Sequence, residues 1–330
     1  MELQTTVQIP APAFNISHAT RLLLLGSCFA ENIGEKFRRY KFNADVNPCG
    51  IIYNPASVAG TLRLLLSGKR FTPDDLLPVG GQWVSLQHHG SFSSPDPDTC
   101  LHHINTRLDD ARRELPRLDL LVITWGTAWV YRHIGRGIIV SNCHKIPARE
   151  FERYRLSVED IVTDYTHLLH ELLQANPTLQ VLFTVSPIRH WKDGAHGNQL
   201  SKATLLLAID ALRQRFPNVH HFPSYEIVLD ELRDYRYYAD DMLHLTPLAV
   251  NYIWERFSTT YFTPSTIALT QQVERLNRGM EHRPFNPRSG EYSAFLRGLL
   301  STIEQLVTTE SALRLEKEKT ILLERLEEAR

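Results

Sequence analysis

Long apolar runs are missing from this 330-residue chain. The Leu22 to Leu25 run falls far short of the ~20 residues that span a bilayer, so no transmembrane helix is expected. The opening residues, MELQTTVQIPAPAF, carry an acid at position 2 and lack the basic start and apolar stretch of a secretory signal. The expected location is therefore the cytoplasm. Cysteine is sparse: Cys28, Cys49, Cys100 and Cys143 form no CxxC pair, which excludes a disulfide framework at this length and reads as reduced thiols. An excess of either charge is also absent. A formal net charge of -1 gives no whole-chain field to attract nucleic acid or an anionic membrane. There is no GxGxxG and no GxxxxGK-S/T, so no dinucleotide or nucleotide-phosphate cradle is expected. The 15 histidines include no HExxH and no paired Cys/His spacing, so neither a metal nor any other cofactor is expected.

What is present is an ordinary globular composition, 43% hydrophobic and 22% charged, able to bury a sizeable core. Strand-like runs alternate with segments of helical period: RLLLLG (21–26) before 31–40, DLLVITWG (119–126) before 156–174, and QVLFTVSP (180–187) before 199–216. Near-continuous apolar strands separated by helices predict an α/β fold in three α/β/α layers, with a mostly parallel sheet covered on both faces. The strand ends Gly26-Ser27, Gly126-Thr127 and Ser186-Pro187 should then converge on one ligand-binding edge. A Gly-, Ser-, His- and Pro-rich stretch at 73–100 reads as an inserted loop or hairpin over that edge, and 188–198 as a second irregular cover. The division expected is a domain at 1–262 and a helical extension at 263–330. Within that extension 301–330 reads as one long helix without a strict a/d repeat, suited to a partner or to self-association.

Two stretches carry chemistry. In LLLLGSCFAENIGEKF (22–37) a buried strand ends on glycine and places Ser27 and Cys28 at the start of a helix, where unpaired amides and the helix dipole favour an anion. Ser27 also reads as a plain N-cap, and Cys28 as a small buried hydrophobe. In YYADDMLHLTPLAVNYIWERF (237–257), Asp241 and His244 stand three apart before Thr246-Pro247, which suit the N-cap and first position of a helix. That spacing lets a carboxylate orient an imidazole that serves as base for a distant nucleophile.

Taken in order, the Gly-x-nucleophile turn, NPCG (47–50), WGTAW (125–129) and the late D-x-x-H resemble the SGNH, or GDSL-type, hydrolases over most of residues 20 to 260. The pentapeptide Gly26-Ser27-Cys28-Phe29-Ala30, with NPCGIIYNP, GTAWVY, NCHK, SPIRH and DDMLH, more specifically resembles the GSCFA family. The resemblance implies Cys28 as nucleophile, with Ser27 as the alternative if the turn shifts by one residue. It implies His244 as base, oriented by Asp241, and the Gly50 amide joining that of Cys28 in an oxyanion hole. Gly126 belongs to the same oxyanion and substrate-binding set. Where SGNH hydrolases usually carry an asparagine, this chain has Ala128. Asn142, His144, His190 and Asn198 are the candidates to replace that donor. Arg189 and Lys202 are candidates to hold an anionic part of a substrate, with a solvated cation as the plain alternative. Trp125, Trp129 and Tyr131 read as core with no ligand role. The implied activity is hydrolysis of a carbohydrate or lipid acyl ester through a covalent acyl-enzyme, or acyl transfer by the same route. Two alternatives stand beside it: a binding or scaffolding protein that keeps the fold, and redox chemistry at Cys28 with Cys49 approaching in space.

Overall fold

The computed structural model describes residues 5–329. In chain order the elements are β1 (Leu22–Gly26), α1 (Cys28–Arg39), β2 (Ala44–Val46), α2 (Pro55–Ser67), β3 (Leu77–Val79), β4 (Gln82–Val84), α3 (Pro97–Glu114), β5 (Leu120–Trp125), β6 (Trp129–His133) and β7 (Ile138–Ile139). They continue with β8 (Phe151–Arg155), α4 (Val158–Ala175), β9 (Gln180–Val185), α5 (Gly194–Arg215), β10 (Val219–His221), α6 (Ser224–Asp230), α7 (Pro247–Tyr261), α8 (Pro264–Glu281), α9 (Gly290–Thr309) and α10 (Glu316–Glu328).

The three apolar runs become adjacent strands of a five-stranded sheet ordered β10–β9–β5–β1–β2. β1 pairs parallel with β5, β5 with β9 and β9 with β10, with Leu22 opposite Leu120 and Leu120 opposite Gln180. Every residue of β1 and β5 is buried, as a sheet covered on both faces requires. On one face Leu23, Leu25, Leu121, Ile123, Val181 and Phe183 join α2, α4 and α5 in a single core through Leu62, Tyr165, Leu168, Leu205 and Ile209. Burying one such side chain is worth ~1.5–3 kcal/mol, so this layer sets the strand register. The chain leaves β1 toward β2 on one side and returns as β5 on the other. That reversal opens a crevice at the carboxyl ends of β1 and β5.

Local chemistry marks the element ends. Asn54 caps α2 by accepting the Ser57 amide at 2.8 Å, Pro55 opens the helix and Gly68 closes it at φ 70°. Ser157 and Asp160 form a capping box at the start of α4. Within 73–100, β3 and β4 form an antiparallel hairpin turned by Gly80 and Gly81, both at positive φ. A second antiparallel sheet, β7–β6–β8, begins directly after the WGTA turn, and α5 starts at Gly194 rather than near 199.

Contacts divide the chain into two units. One takes in residues up to Ile9, Leu22–Gly34 and Asp45–Ile253, and includes β1, β5, β9 and β10. The other comprises Pro10–Arg21, Glu35–Ala44 and the chain from Trp254 onward. In this second unit Phe37 meets Trp254, Phe257 and Phe42 edge-on. The single long helix expected at 301–330 is instead two helices, α9 and α10, separated by the segment between Thr309 and Glu316. Leu313, Leu315 and Leu322 explain the break: folding back buries them with Val273, Leu276, Ile303 and Leu306, whereas an uninterrupted helix would carry them away from that core. Among the described residues no helix is long and apolar enough to cross a membrane.

Candidate functional site

Gly26 makes the turn at the end of β1. Its φ of 141° and the 2.1 Å that would separate a Cβ from the Thr124 carbonyl oxygen admit only glycine. Its amide donates to Asn47 Oδ1 at 2.9 Å. The turn makes Ser27 the N-cap of α1: its hydroxyl accepts the Phe29 amide at 3.3 Å and its carbonyl accepts the Glu31 amide at 3.2 Å. Ser27 is 1% exposed, while Cys28, the first helical residue, is partly open. Burial pushes the Cys28 thiol up from its ordinary value, opposed by the amides of Phe29 and Cys28 and by the charge of Lys202. A sulfur so placed needs a base to lose its proton near neutral pH.

A base stands in the turn before α7. Asp241 Oδ1 accepts the amides of Leu243 and His244, each at 2.9 Å, and its Oδ2 accepts from His244 Nδ1 at 2.5 Å. The His244 hydrogen bond and then those two amides hold the carboxyl down at about 2. The ionised Asp241 accepts only, so Nδ1 carries the proton and Nε2 is left as the basic nitrogen. Met242 at φ 58° and the Tyr238–Leu245 bridge close the loop, and the Thr246 hydroxyl accepts the Ala249 amide at 3.5 Å as α7 begins. The pair is open to solvent, with the His244 side chain 54% and the Asp241 side chain 47% exposed.

Ser27, Cys28 and His244 line one cavity of about 440 Å³ at the β1/β5 edge. Tyr53 and Asn54 form part of its wall, and the small antiparallel sheet contributes Trp129, Tyr131 and Arg153. Arg153 pairs with Asp193 and lies 4.3 Å from the Trp129 ring centre, while Lys192 Nζ donates to the Tyr131 hydroxyl at 2.5 Å. Arg189 lines the same cavity and makes no ion pair among the described residues. The rim is therefore cationic, with Asp193 already committed to Arg153. A cavity of about 610 Å³ in the second unit, lined by His282, Arg283, Tyr292 and Arg325 among others, holds no comparable pairing of nucleophile and base.

Of the expected donors, Asn142 and His190 reach the cavity wall and others do not. The Gly50 amide, expected in an oxyanion hole, donates to the Asn47 carbonyl at 2.8 Å, because positive φ turns it into the NPCG bend. The Gly126 amide is likewise taken by the Tyr53 carbonyl at 2.7 Å. Asn198 is 3% exposed and its side-chain oxygen accepts the His190 amide at 3.1 Å, so it props a loop instead of lining the cavity. His144 turns its ring to the Ser85 carbonyl at 2.8 Å, while its neighbour Cys143 faces the cavity. The Ala128 amide is held by the Ser201 hydroxyl at 2.8 Å. Burial, aided by Lys202 and Arg153 and opposed by Asp193, pushes His190 down to about 4, so it is neutral at physiological pH.

Lys202, read as a ligand for a substrate anion, is 1% exposed and lies beneath the strand ends. Trp125 is core, its indole donating to the Tyr165 hydroxyl at 3.1 Å, whereas Trp129 and Tyr131 line the cavity. Cys49 is fully buried in the main core. Sequence reasoning missed Tyr53 and Arg153 altogether. The alternation in FERYR (151–155) is the signal that could have revealed β8 and hence Arg153.

No curated protein matches the chain. Among solved structures it is similar to a carbohydrate esterase family 3 protein from Talaromyces cellulolyticus, at 11% identity and a TM-score of 0.36, covering 76% of this chain and 98% of that one. The family comparison is specific: residues 273–328 match the C-terminal domain of GSCFA domain proteins and residues 21–257 match the GSCFA family, to which this chain belongs.

Proposed function

We propose that the chain is an SGNH-type enzyme acting on a carbohydrate or lipid acyl ester, with Cys28 as nucleophile and His244, oriented by Asp241, as general base and acid. The observation that carries this reading is the convergence of Cys28 and the Asp241-bound His244 on one cavity. His244 Nε2 takes the thiol proton as Cys28 Sγ adds to the acyl carbonyl, then returns it to the departing alkoxide. Water or another hydroxyl resolves the thioester by the same proton relay in reverse. Hydrolysis and transfer thus differ only in the acceptor. The Cys28 amide at the start of α1 supports the oxyanion, with Asn142 and His190 on the cavity wall as side-chain candidates for a second donor. Trp129 and Tyr131 offer flat apolar faces to a sugar or acyl portion, and Arg189 suits a substrate that also carries an anion.

The engaged amides of Ala128, Gly50 and Gly126 favour a second reading, a binding protein that retains the fold without hydrolysis. Peptide mapping by mass spectrometry after exposure to p-nitrophenyl acetate separates the two. The enzyme reading expects an acetyl group on Cys28 that is absent in Cys28→Ala, slow to form in His244→Ala and retained in Ser27→Ala. Acetylation of Ser27, or no adduct at either residue in folded protein, removes the Cys28 mechanism.

A further inference from the structure

Lys202 is the most deeply buried cation near the cavity, and no carboxylate pairs with it among the described residues. Its Nζ donates to the Gly126 carbonyl at 2.7 Å and to the Ser186 carbonyl at 2.6 Å, the backbone groups just past β5 and β9. An ammonium has three N–H donors; two are engaged by these carbonyls, and the Tyr225 ring centre lies 5.6 Å from Nζ, so none of these partners carries a countercharge. A buried charge without a counter-charge is costly, and such a group persists where its charge has a use. The titratable groups that feel it are Cys28, His190 and Tyr225. His190 is neutral, and Tyr225, its phenol pushed up by burial, donates to Gln199 Oε1 at 2.5 Å. Cys28 is thus the group able to become the missing anion. The interaction is mutual: burial pulls the Lys202 ammonium down from its ordinary value, and the Cys28 charge opposes that fall.

We propose that Lys202 is a positioning residue for the nucleophile: its ammonium, held under the strand ends by the Gly126 and Ser186 carbonyls, stabilises the Cys28 thiolate that attacks the ester. This rests on the reading of Cys28 as nucleophile. Lys202 keeps its proton throughout. The thiol proton passes to His244 Nε2 as the sulfur becomes anionic. Formation of the carbon–sulfur bond moves the negative charge to the carbonyl oxygen, and its collapse expels the alkoxide, which takes the proton from the imidazolium.

Iodoacetamide alkylation of Cys28, followed against pH by peptide mass, tests the role without any ester turnover. Lys202→Gln keeps two N–H donors for the two carbonyls and removes the charge. It is expected to slow Cys28 alkylation near neutral pH about tenfold and to move the midpoint of the profile up by about one unit or more, while Cys143 on the same cavity reacts as before. An unchanged Cys28 profile in folded Lys202→Gln overturns the proposal, as does an equal slowing at Cys143. Should that variant fail to fold, the wild-type protein answers by NMR titration of the Lys202 ammonium before and after S-methylation of Cys28. Capping the sulfur is expected to move the ammonium titration to lower pH, and an unmoved titration overturns the proposal. Loss of the acetyl adduct with a normal alkylation response would defeat the esterase reading alone.

Discussion

The two halves of the candidate site are built in opposite ways. Cys28 stands, partly open, on the edge where β1, β5 and β9 end together, with a buried lysine held by the strand-end carbonyls and a glycine nearby that no other residue can replace. His244 stands on an open turn whose geometry comes from bonds to Asp241, three residues away. Disturbing the backbone scaffold of the first half, as at Gly26, therefore damages fold and chemistry together. Disturbing the second changes chemistry and leaves the fold alone.

Substitutions can break that contrast or sharpen it. The largest effect is expected from Cys28→Ala, a loss of ester turnover of at least ~10³-fold with the sheet intact; activity surviving at wild-type level moves the nucleophile elsewhere. His244→Ala is expected to lower turnover ~10²–10⁴-fold with no change in the thermal midpoint, and a large drop in that midpoint would show the turn to be structural. Gly26→Ala should destabilise the protein by about 3 kcal/mol or more in denaturant unfolding, since its Cβ meets the Thr124 carbonyl at 2.1 Å; a mild effect would mean the strand end yields easily. Ser201→Ala strands the buried Ala128 amide and is expected to cost about 1–3 kcal/mol by the same measurement.

The smallest effect is a pH dependence. The Asp241 carboxyl is depressed to about 2 in the folded chain, against ~3.9 for a free aspartate. Its stabilising contribution is therefore fully present above about pH 5 and is lost as pH falls toward 2. Thermal midpoints of wild type and Asp241→Asn should converge over that acid range. A gap that persists at pH 2 points to some other role for the aspartate.

Much of the sheet was legible because its strands are short continuous apolar runs that nothing but a doubly covered sheet can bury. The Asp241–His244 pairing was equally legible, since a spacing of three in a tight turn brings the groups together locally. The donors near the nucleophile were not. Gly50 and Gly126 carry amides whose use depends on the Asn47 and Tyr53 carbonyls they meet. Lys202 read as a ligand for a substrate anion or a solvated cation because its own helix, α5, is mixed in character; only packing under β5 and β9 hides it. The break between α9 and α10 escaped detection because no Gly or Pro marks it, and Leu313 and Leu315 act through a distant core.

Local chemistry in the chain was enough to establish the parallel α/β sheet, the strand-end turn at Gly26 and the carboxylate–imidazole pair, because each depends on neighbours a few residues away or on simple apolar periodicity. Which amides stay free, which cation is buried and which side chains wall the cavity were decided by tertiary structure alone. Those properties depend on desolvation and on hydrogen-bond partners brought from remote segments, and no spacing along the chain encodes them.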